Sequence, residues 1–406
     1  MNTHLREVQR ETIDGDVYQY FESLVDKIIT SGDESDTKFL SFDSSEPPCP
    51  IGPGQFTRLK LTDGSCNLTS FTSSFIKLKI KTTVGFNFSV GMRPIISTLI
   101  DGAMNDCPCL YVGFKSGIHA IDHYRFYCDK GRGYMCEQSQ AVYESAVTYM
   151  VKSQEELEGE QGCYATMENI RKLDPNVPGR YITWKEFKDH FSGSSMDIEF
   201  EVVIKYDDFA PLQFFKSFPN DVCGNIQLEF KIANNKNIVF CQVPFEAQVA
   251  WLKKHRNSTL MQSAIADEKV YMLYGVECND VSFANMGDDC PFRFIDDTTT
   301  ADSGVQAFAG ALYLNEARSY INGYNIKQNK MNEIRDLLST KKIYIPGQRI
   351  DQYSFSQIPT SSNMSCNTTQ SLVNCSSIAF MFPRTSNQLT CSFNPGCNSI
   401  QLQIDN

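Results

Sequence analysis

Within residues 75–84, FIKLKIKTTV, positions 76–81 alternate apolar and charged side chains without a break. Side chains on a strand repeat every two residues and those on a helix every 3.6. As a strand, the stretch sends Ile76, Leu78 and Ile80 to one side and Lys77, Lys79 and Lys81 to the other. As a helix it would scatter both sets around the axis. The segment therefore predicts a sheet with one buried face and one wet face, as antiparallel sheets commonly have. RLKL at 58–61 carries the same signature, and MDIEFEVVIKYDDF (196–209) and GNIQLEFKIANN (224–235) repeat it.

Further strand-like runs fall at 83–90, 268–276, 304–313, 341–345, 352–358, 376–383 and 388–404. Helical spacing is rarer. Residues 5–32 place Leu5, Val8, Val17, Phe21, Leu24, Val25, Ile28 and Ile29 at helical intervals and predict an amphipathic arm of one or two helices. Residues 139–156 predict a helix with Ser139 as N-cap and Ala141, Tyr143, Val147, Tyr149 and Met150 on its packing face. A helix is also expected at 244–263, and a short one at TWKEFKDHF inside a loop-rich excursion, 157–195. Residues 31–56, rich in Ser, Asp, Pro and Gly, read as an extended linker.

Strand and helix do not alternate over any long stretch, which argues against a Rossmann or barrel α/β fold. Many short strands with long loops favour antiparallel sandwiches. With 406 residues, the chain exceeds the ~250–300 at which single cores stop growing, so two sandwiches in tandem are expected. The strand run pauses near 235 and resumes near 268. An internal echo points the same way: GFKSGIHAIDHYRFYCDKG and FMFPRTSNQLTCSFNPGCNSIQLQIDN both read as strand, polar turn, strand.

The net charge of −11 disfavours direct nucleic-acid binding, which needs clustered Lys and Arg. The one short basic cluster is Lys253-Lys254-His255-Arg256. No run of eighteen apolar residues exists, so no spanning helix is expected, and the polar start carries no signal-peptide core. Without that signal, the fifteen cysteines read as reduced, mostly small buried hydrophobes. Six N-x-S/T tripeptides, at Asn67, Asn87, Asn257, Asn363, Asn367 and Asn374, read as chance occurrences in an Asn-, Ser- and Thr-rich chain.

Chemistry-bearing constellations are few. His119 and His123 in YVGFKSGIHAIDHYRFYCDKG, with Cys128 following, would suit a metal only on a helix. On a strand they stand about 13 Å apart. The aromatic alternation around them favours two strands with a polar turn between, the histidines lying near the turn or on the surface. Cys107-Pro108-Cys109 has no second ligand pair at finger spacing, and Cys366, Cys375, Cys391 and Cys397 match no metal module. Asp288-Asp289 and Asp296-Asp297 read as solvated acidic turns rather than a hard-cation site. Motifs of the nucleophile-elbow, P-loop, zincin and dinucleotide types are absent. The chain is expected to have no catalytic residue, no metal and no cofactor.

The ordered run LYVGFKSGIHAIDHYRFYCDKG, CEQSQAVYESAVTYM and MDIEFEVVIKYDDFAPLQFFKSFPNDVCGNIQLEFKI resembles the first jelly roll of the double jelly-roll major capsid proteins, most of all those of Maverick (Polinton) elements and related eukaryotic DNA viruses. The match lies in Gly113-Phe114-Lys115, in the Tyr143-Glu144 pair, in Asp208, Phe209, Pro211, Leu212, Phe214 and Phe215, and in the closing strand 226–232. It covers about 57–240, and 340–406 more loosely. It implies a mainly β chain of two tandem antiparallel jelly-roll sandwiches: 1–56 a helical arm and linker, 57–240 the first jelly roll, 241–267 a helical bridge, and 268–406 a second jelly roll short for the family.

The resemblance further implies a structural role in the virion, assembled inside the host cell. The subunit would form homotrimers in an icosahedral shell around double-stranded DNA, meeting neighbouring capsomers, penton and minor capsid proteins. In that setting 5–32 would bridge neighbours and 157–195 would form a tower loop. Phe209, Leu212, Phe214 and Phe215 are expected to close the first barrel against the bridge. Two other readings stand beside it. A secreted lectin- or adhesin-like sandwich is motivated by the tripeptides and cysteines. A cation-assisted hydrolase would be centred on Asp288–Asp297.

Overall fold

The computed structural model describes residues 15–31, 37–45, 51–88, 106–128, 134–138, 152–159, 162–189, 195–213, 216–243, 293–295 and 302–340, with isolated positions at 247, 250, 251, 254 and 378. The chain is mostly β, with antiparallel sheets and few helices.

The longest strands are the most strictly alternating ones. β4 (Phe75–Phe88) and β9 (Ser195–Lys205) pair antiparallel from Phe75↔Lys205 to Gly85↔Ser195. Ile76, Leu78 and Ile80 are fully buried, as are Ile198, Val202 and Ile204. The lysines between them face out, as the alternation predicts. β15 (Tyr313–Ile326) lies on the other edge of β4, with β14 (Asp302–Ala309) in line before it along the same edge. β1 (Thr37–Ser45) pairs with the far side of β15 over its whole length. β3 (Leu68–Ser70), β10 (Ser217–Phe218) and β13 (Arg293–Ile295) complete an eight-stranded sheet.

A second sheet has four strands in the order β2 (Phe56–Lys60), β11 (Ile226–Ile232), β6 (Ile121–Cys128) and β7 (Tyr134–Gln138). A third has three, in the order β12 (Val239–Gln242), β5 (Pro108–Gly113) and β8 (Gly179–Thr183). All three sheets turn apolar side chains into one shared core: Ile76, Leu78 and Val202 meet Leu228, Phe230 and Phe126, with Leu110, Val112 and Ile182 closing one side.

The sequence reading departs from this architecture in four places. Residues 31–56 contain strand β1 rather than only linker, because β15 offers a free edge that β1 can pair with along nine positions. Pairing of this kind overrides a weak local signal. The break expected between 240 and 268 is not a break in the described sheet. β14 and β15 pair with β4, and Leu312, Leu314 and Ala317 are buried in the same core as Leu59. Strand β15 extends far past the expected 304–313, and helix α5 (Gln328–Thr340), not expected at all, follows it.

The last departure is the arm. Helix α1 (Gly15–Ser31) forms as the spacing predicts, yet its apolar face is occupied by its own chain. Phe21, Val25 and Ile28 are buried against Leu68, Ile326, Met331 and Ile334. Side chains of this size contribute about 1.5–3 kcal/mol each when fully buried. That face is not open for bridging a neighbour.

The excursion is likewise folded down. Residues 162–189 carry helices α3 (Met167–Arg171) and α4 (Trp184–Asp189) around β8, after α2 (Gln154–Gly159). Cys163, Tyr164, Ile170 and Val177 are buried. The predicted helix at 139–156 lies outside the described residues except for 152–156, of which 154–156 belong to α2. Of the predicted helix at 244–263, positions 247, 250, 251 and 254 are helical. The acidic turns Asp288–Asp297 and the strands expected beyond 340 fall outside the described residues, apart from β13.

Candidate functional site

The stretch 111–128 forms the end of β5, a buried 3₁₀ turn at Gly117–Ala120, and β6. Two strands with a turn is the expected form, but the turn is not polar in its surroundings: all four of its residues are buried. Gly117 is needed there because a Cβ would stand 2.1 Å from the carbonyl oxygen of Val203 on β9. Backbone bonds lace the turn to the excursion, with Gly117 N–H donating to Cys163 O at 2.7 Å and Ala165 N–H to Lys115 O at 2.9 Å.

The two histidines end in different environments. His119 is 2% exposed, and Asn237 Nδ2 donates to its carbonyl oxygen at 2.9 Å. Burial, with the nearby Lys115 charge second, holds its imidazole well below the usual range, at about 3, so the ring is neutral at physiological pH. His123 lies on the outer face of β6, its ring edge-on to Phe56 at 5.6 Å. One ring is in the core and the other on the surface, so the pair does not converge on a point. Cys128 donates its S–H to Cys223 O at 2.9 Å, and Cys107 is buried in the core. Among the described residues, no three His, Cys, Asp or Glu side chains group as a metal site.

The DDFAPL segment clamps the sandwich. Asp208 Oδ2 accepts from Lys205 N–H at 3.0 Å, capping the 3₁₀ turn Tyr206–Asp208. Its Oδ1 accepts from Tyr164 Oη at 2.5 Å, and Lys152 Nζ lies 3.4 Å away. This triad, with Tyr164 and Asp208 buried and Lys152 partly so, ties the excursion to the end of β9. Lys152 and Tyr164 carried no sequence signal, since each depends on a contact with a distant segment. Phe209 is fully buried between Tyr124 and Phe126, at ring-centroid distances of 5.0 and 5.6 Å, and Leu212 is buried with it. Trp251, at a helical position, packs against the same core. Phe214 and Phe215 lie outside the described residues.

Asn67 bears on the glycoprotein reading. Its Nδ2 donates to Ile326 O at 2.7 Å and its Oδ1 accepts from Ile326 N–H at 2.9 Å. A glycan on that nitrogen would cost the first of these bonds.

A dense group of polar side chains lies on the outer face of the four-stranded sheet. Glu229, 7% exposed, sits at the centre of β11. Arg58 Nε on β2 lies 2.8 Å from Glu229 Oε1, Arg125 Nε on β6 lies 2.5 Å from Oε2, and Tyr127 Oη donates to Oε2 at 3.1 Å. Burial pushes the Glu229 carboxyl up. The hydrogen bonds from Arg58 and Tyr127 and the two guanidinium charges outweigh it and hold the carboxyl below the usual range. Phe56, 38% exposed, lies beneath two cations, with Arg125 Cζ 4.5 Å and Lys231 Nζ 4.6 Å from its ring centroid.

No protein-family model matches the chain, and no curated protein matches it in sequence. Solved structures that match it include viral capsid proteins. The MCP of STIV is 9% identical with a TM-score of 0.27, the match covering 73% of this chain and 51% of that one. PBCV-1 VP54, fitted into a reconstruction of the virophage Sputnik, is 8% identical with a TM-score of 0.27, covering 73% and 44%. The Faustovirus major capsid protein is 8% identical with a TM-score of 0.31, covering 82% and 65%. The chain thus spans about half the length of the first two. Superpositions this loose carry no strand-by-strand correspondence.

Proposed function

We propose that this chain is a structural subunit of a viral or virus-like capsid, a major capsid protein of the double jelly-roll kind. The observation that carries the reading is where the family-like residues fall. Phe114, Phe209, Leu212 and the inward side chains of β6 and β11 form the core that joins the sheets. Gly117 and Asp208 hold the corner and the clamp beside them. Residues that resemble a capsid signature thus build the walls of a sandwich, which is what a shell subunit asks of them. Its working parts are broad outer faces for neighbours.

On this reading the subunit assembles as homotrimers of hexagonal outline, meets neighbouring capsomers with penton and minor capsid proteins, and encloses double-stranded DNA. Its nearest kin would be the Maverick (Polinton) capsid proteins. The test is size-exclusion chromatography with light scattering, followed by negative-stain imaging of the purified protein. Trimers of hexagonal outline are expected. A monomer at every concentration tried would overturn the proposal.

A further inference from the structure

The outer face of the four-stranded sheet differs from the rest of the surface in charge. It carries Arg58 and Lys60 on β2, Arg125 on β6 and Lys231 on β11, against Glu229 on β11 and the Glu137 position of β7 among the described residues. Asp122 stands at its rim near His123 and Lys231, and Glu137 of β7 is in register with Arg125. Glu229 is already engaged by two guanidinium groups. The cations are therefore in excess, on a chain whose net charge is −11.

The excess is also organised. Lys231 and Arg125 converge on the ring of Phe56, and Arg58 Cζ lies 5.5 Å from the Tyr127 ring. An exposed aromatic held by cations is the composition of an interface hot spot, where aromatic and Arg side chains dominate the binding energy. A face of four cations offers few phosphate contacts, and on a chain this acidic it is poorly suited to nucleic acid, whose binding grows with the number of phosphates neutralised. It is well matched to an acidic protein surface. The most abundant such surface around an assembling subunit is its own chain, whose described residues include the exposed Glu155 and Glu156 of α2.

We propose that this face, centred on Phe56, Arg58, Lys60 and Lys231, docks the acidic surface of a second copy of the chain. The proposal rests on the capsid reading and names one of its contacts. A contact between two different surfaces of identical chains is heterologous and closes into a ring when the rotation permits.

The test compares wild type, Lys60→Glu/Lys231→Glu and Phe56→Ala by light scattering over a range of concentrations, at about 0.05 M and about 0.5 M salt. The double reversal spares the Arg58–Glu229–Arg125 cluster, and Phe56→Ala tests the same face without a charge change. Wild type is expected to associate, more weakly at high salt. Both variants are expected to associate at least about tenfold more weakly while keeping the wild-type thermal transition. Variants that assemble like wild type overturn this inference and leave the capsid reading standing. A wild type that never associates overturns both. Binding of a single-stranded DNA oligonucleotide by wild type near 0.15 M salt, lost in the double reversal, would reassign the face to nucleic acid and also overturn it.

Discussion

On the outer face of the eight-stranded sheet, each lysine of β4 meets a carboxylate of β9: Lys77 Nζ lies 2.5 Å from Glu201, Lys79 3.1 Å from Glu199, and Lys81 2.7 Å from Asp197. Glu316 and Arg318 of β15 pair beside them. Charges there cancel one for one, in rungs that water reaches from all sides. On the outer face of the four-stranded sheet one nearly buried carboxylate, Glu229, answers two guanidinium groups and a phenol, and Arg58, Lys60, Arg125 and Lys231 outnumber Glu229 and Glu137 among the described residues. Both faces come from alternating strands that bury their other side in the same core. The difference teaches that alternation decides which side is wet, whereas register across strands decides whether that side is self-satisfied or left with charge to offer a partner.

The largest effect is expected where the two sheets are joined. Gly117→Ala forces a methyl group against the Val203 carbonyl and should destabilise the whole sandwich by about 3 kcal/mol, seen as one earlier urea transition. If only one sheet's signals shift, the sheets do not form a common unit.

Next comes the contrast itself. Glu229→Gln leaves Arg58 and Arg125 without their counter-charge and should cost about 2 kcal/mol, while Glu201→Gln should cost less than about 0.5 kcal/mol. Equal costs in denaturant titrations would erase the distinction between the faces.

A smaller effect follows from pH. The Glu229 carboxyl is held lower in the folded than in the unfolded chain, so its stabilisation is complete above the ordinary carboxylate value of ~4.3 and is lost as the pH falls through the depressed one. Glu229→Gln should therefore flatten the acid limb of stability against pH. Glu199→Gln, in a group also held low but open to solvent, should flatten it less. The smallest expected effect is that of Lys79→Ala. It should change stability by less than about 0.5 kcal/mol and fade further in about 0.5 M salt.

Legibility in the sequence tracked side-chain size at inward positions. β4, β9 and β11 show Ile, Leu, Val or Phe at nearly every inward place, with Thr82 and Met196 the exceptions, and were readable at once. β15 hides its alternation because Ala317, Ser319 and Gly323 fill inward positions. They are small or polar for reasons set by other strands. Ser319 Oγ meets Tyr206 Oη at 2.5 Å, and a Cβ at Gly323 would stand 2.6 Å from Leu68 O. β1 was masked by its serines and aspartate for the same reason, since its partner lies far along the chain. Of the candidate face, the alternation of β2 and β11 announced that Arg58, Lys60 and Lys231 point outward. That Phe56 would gather cations from β6 and β11 depended on a register no local pattern records.

The placement of β15 also bears on how the chain is made. It is the strand onto which β1, β3 and β4 all pair, yet it is synthesised long after them. A nascent chain therefore carries those early strands with open edges until residue 326 has left the ribosome, and pairings this distant in sequence close slowly. Exposed edges of that kind invite wrong pairing between neighbouring nascent chains. The lysines of β4 and the Ser-rich sequence of β1 are the features that would keep such edges soluble during the wait.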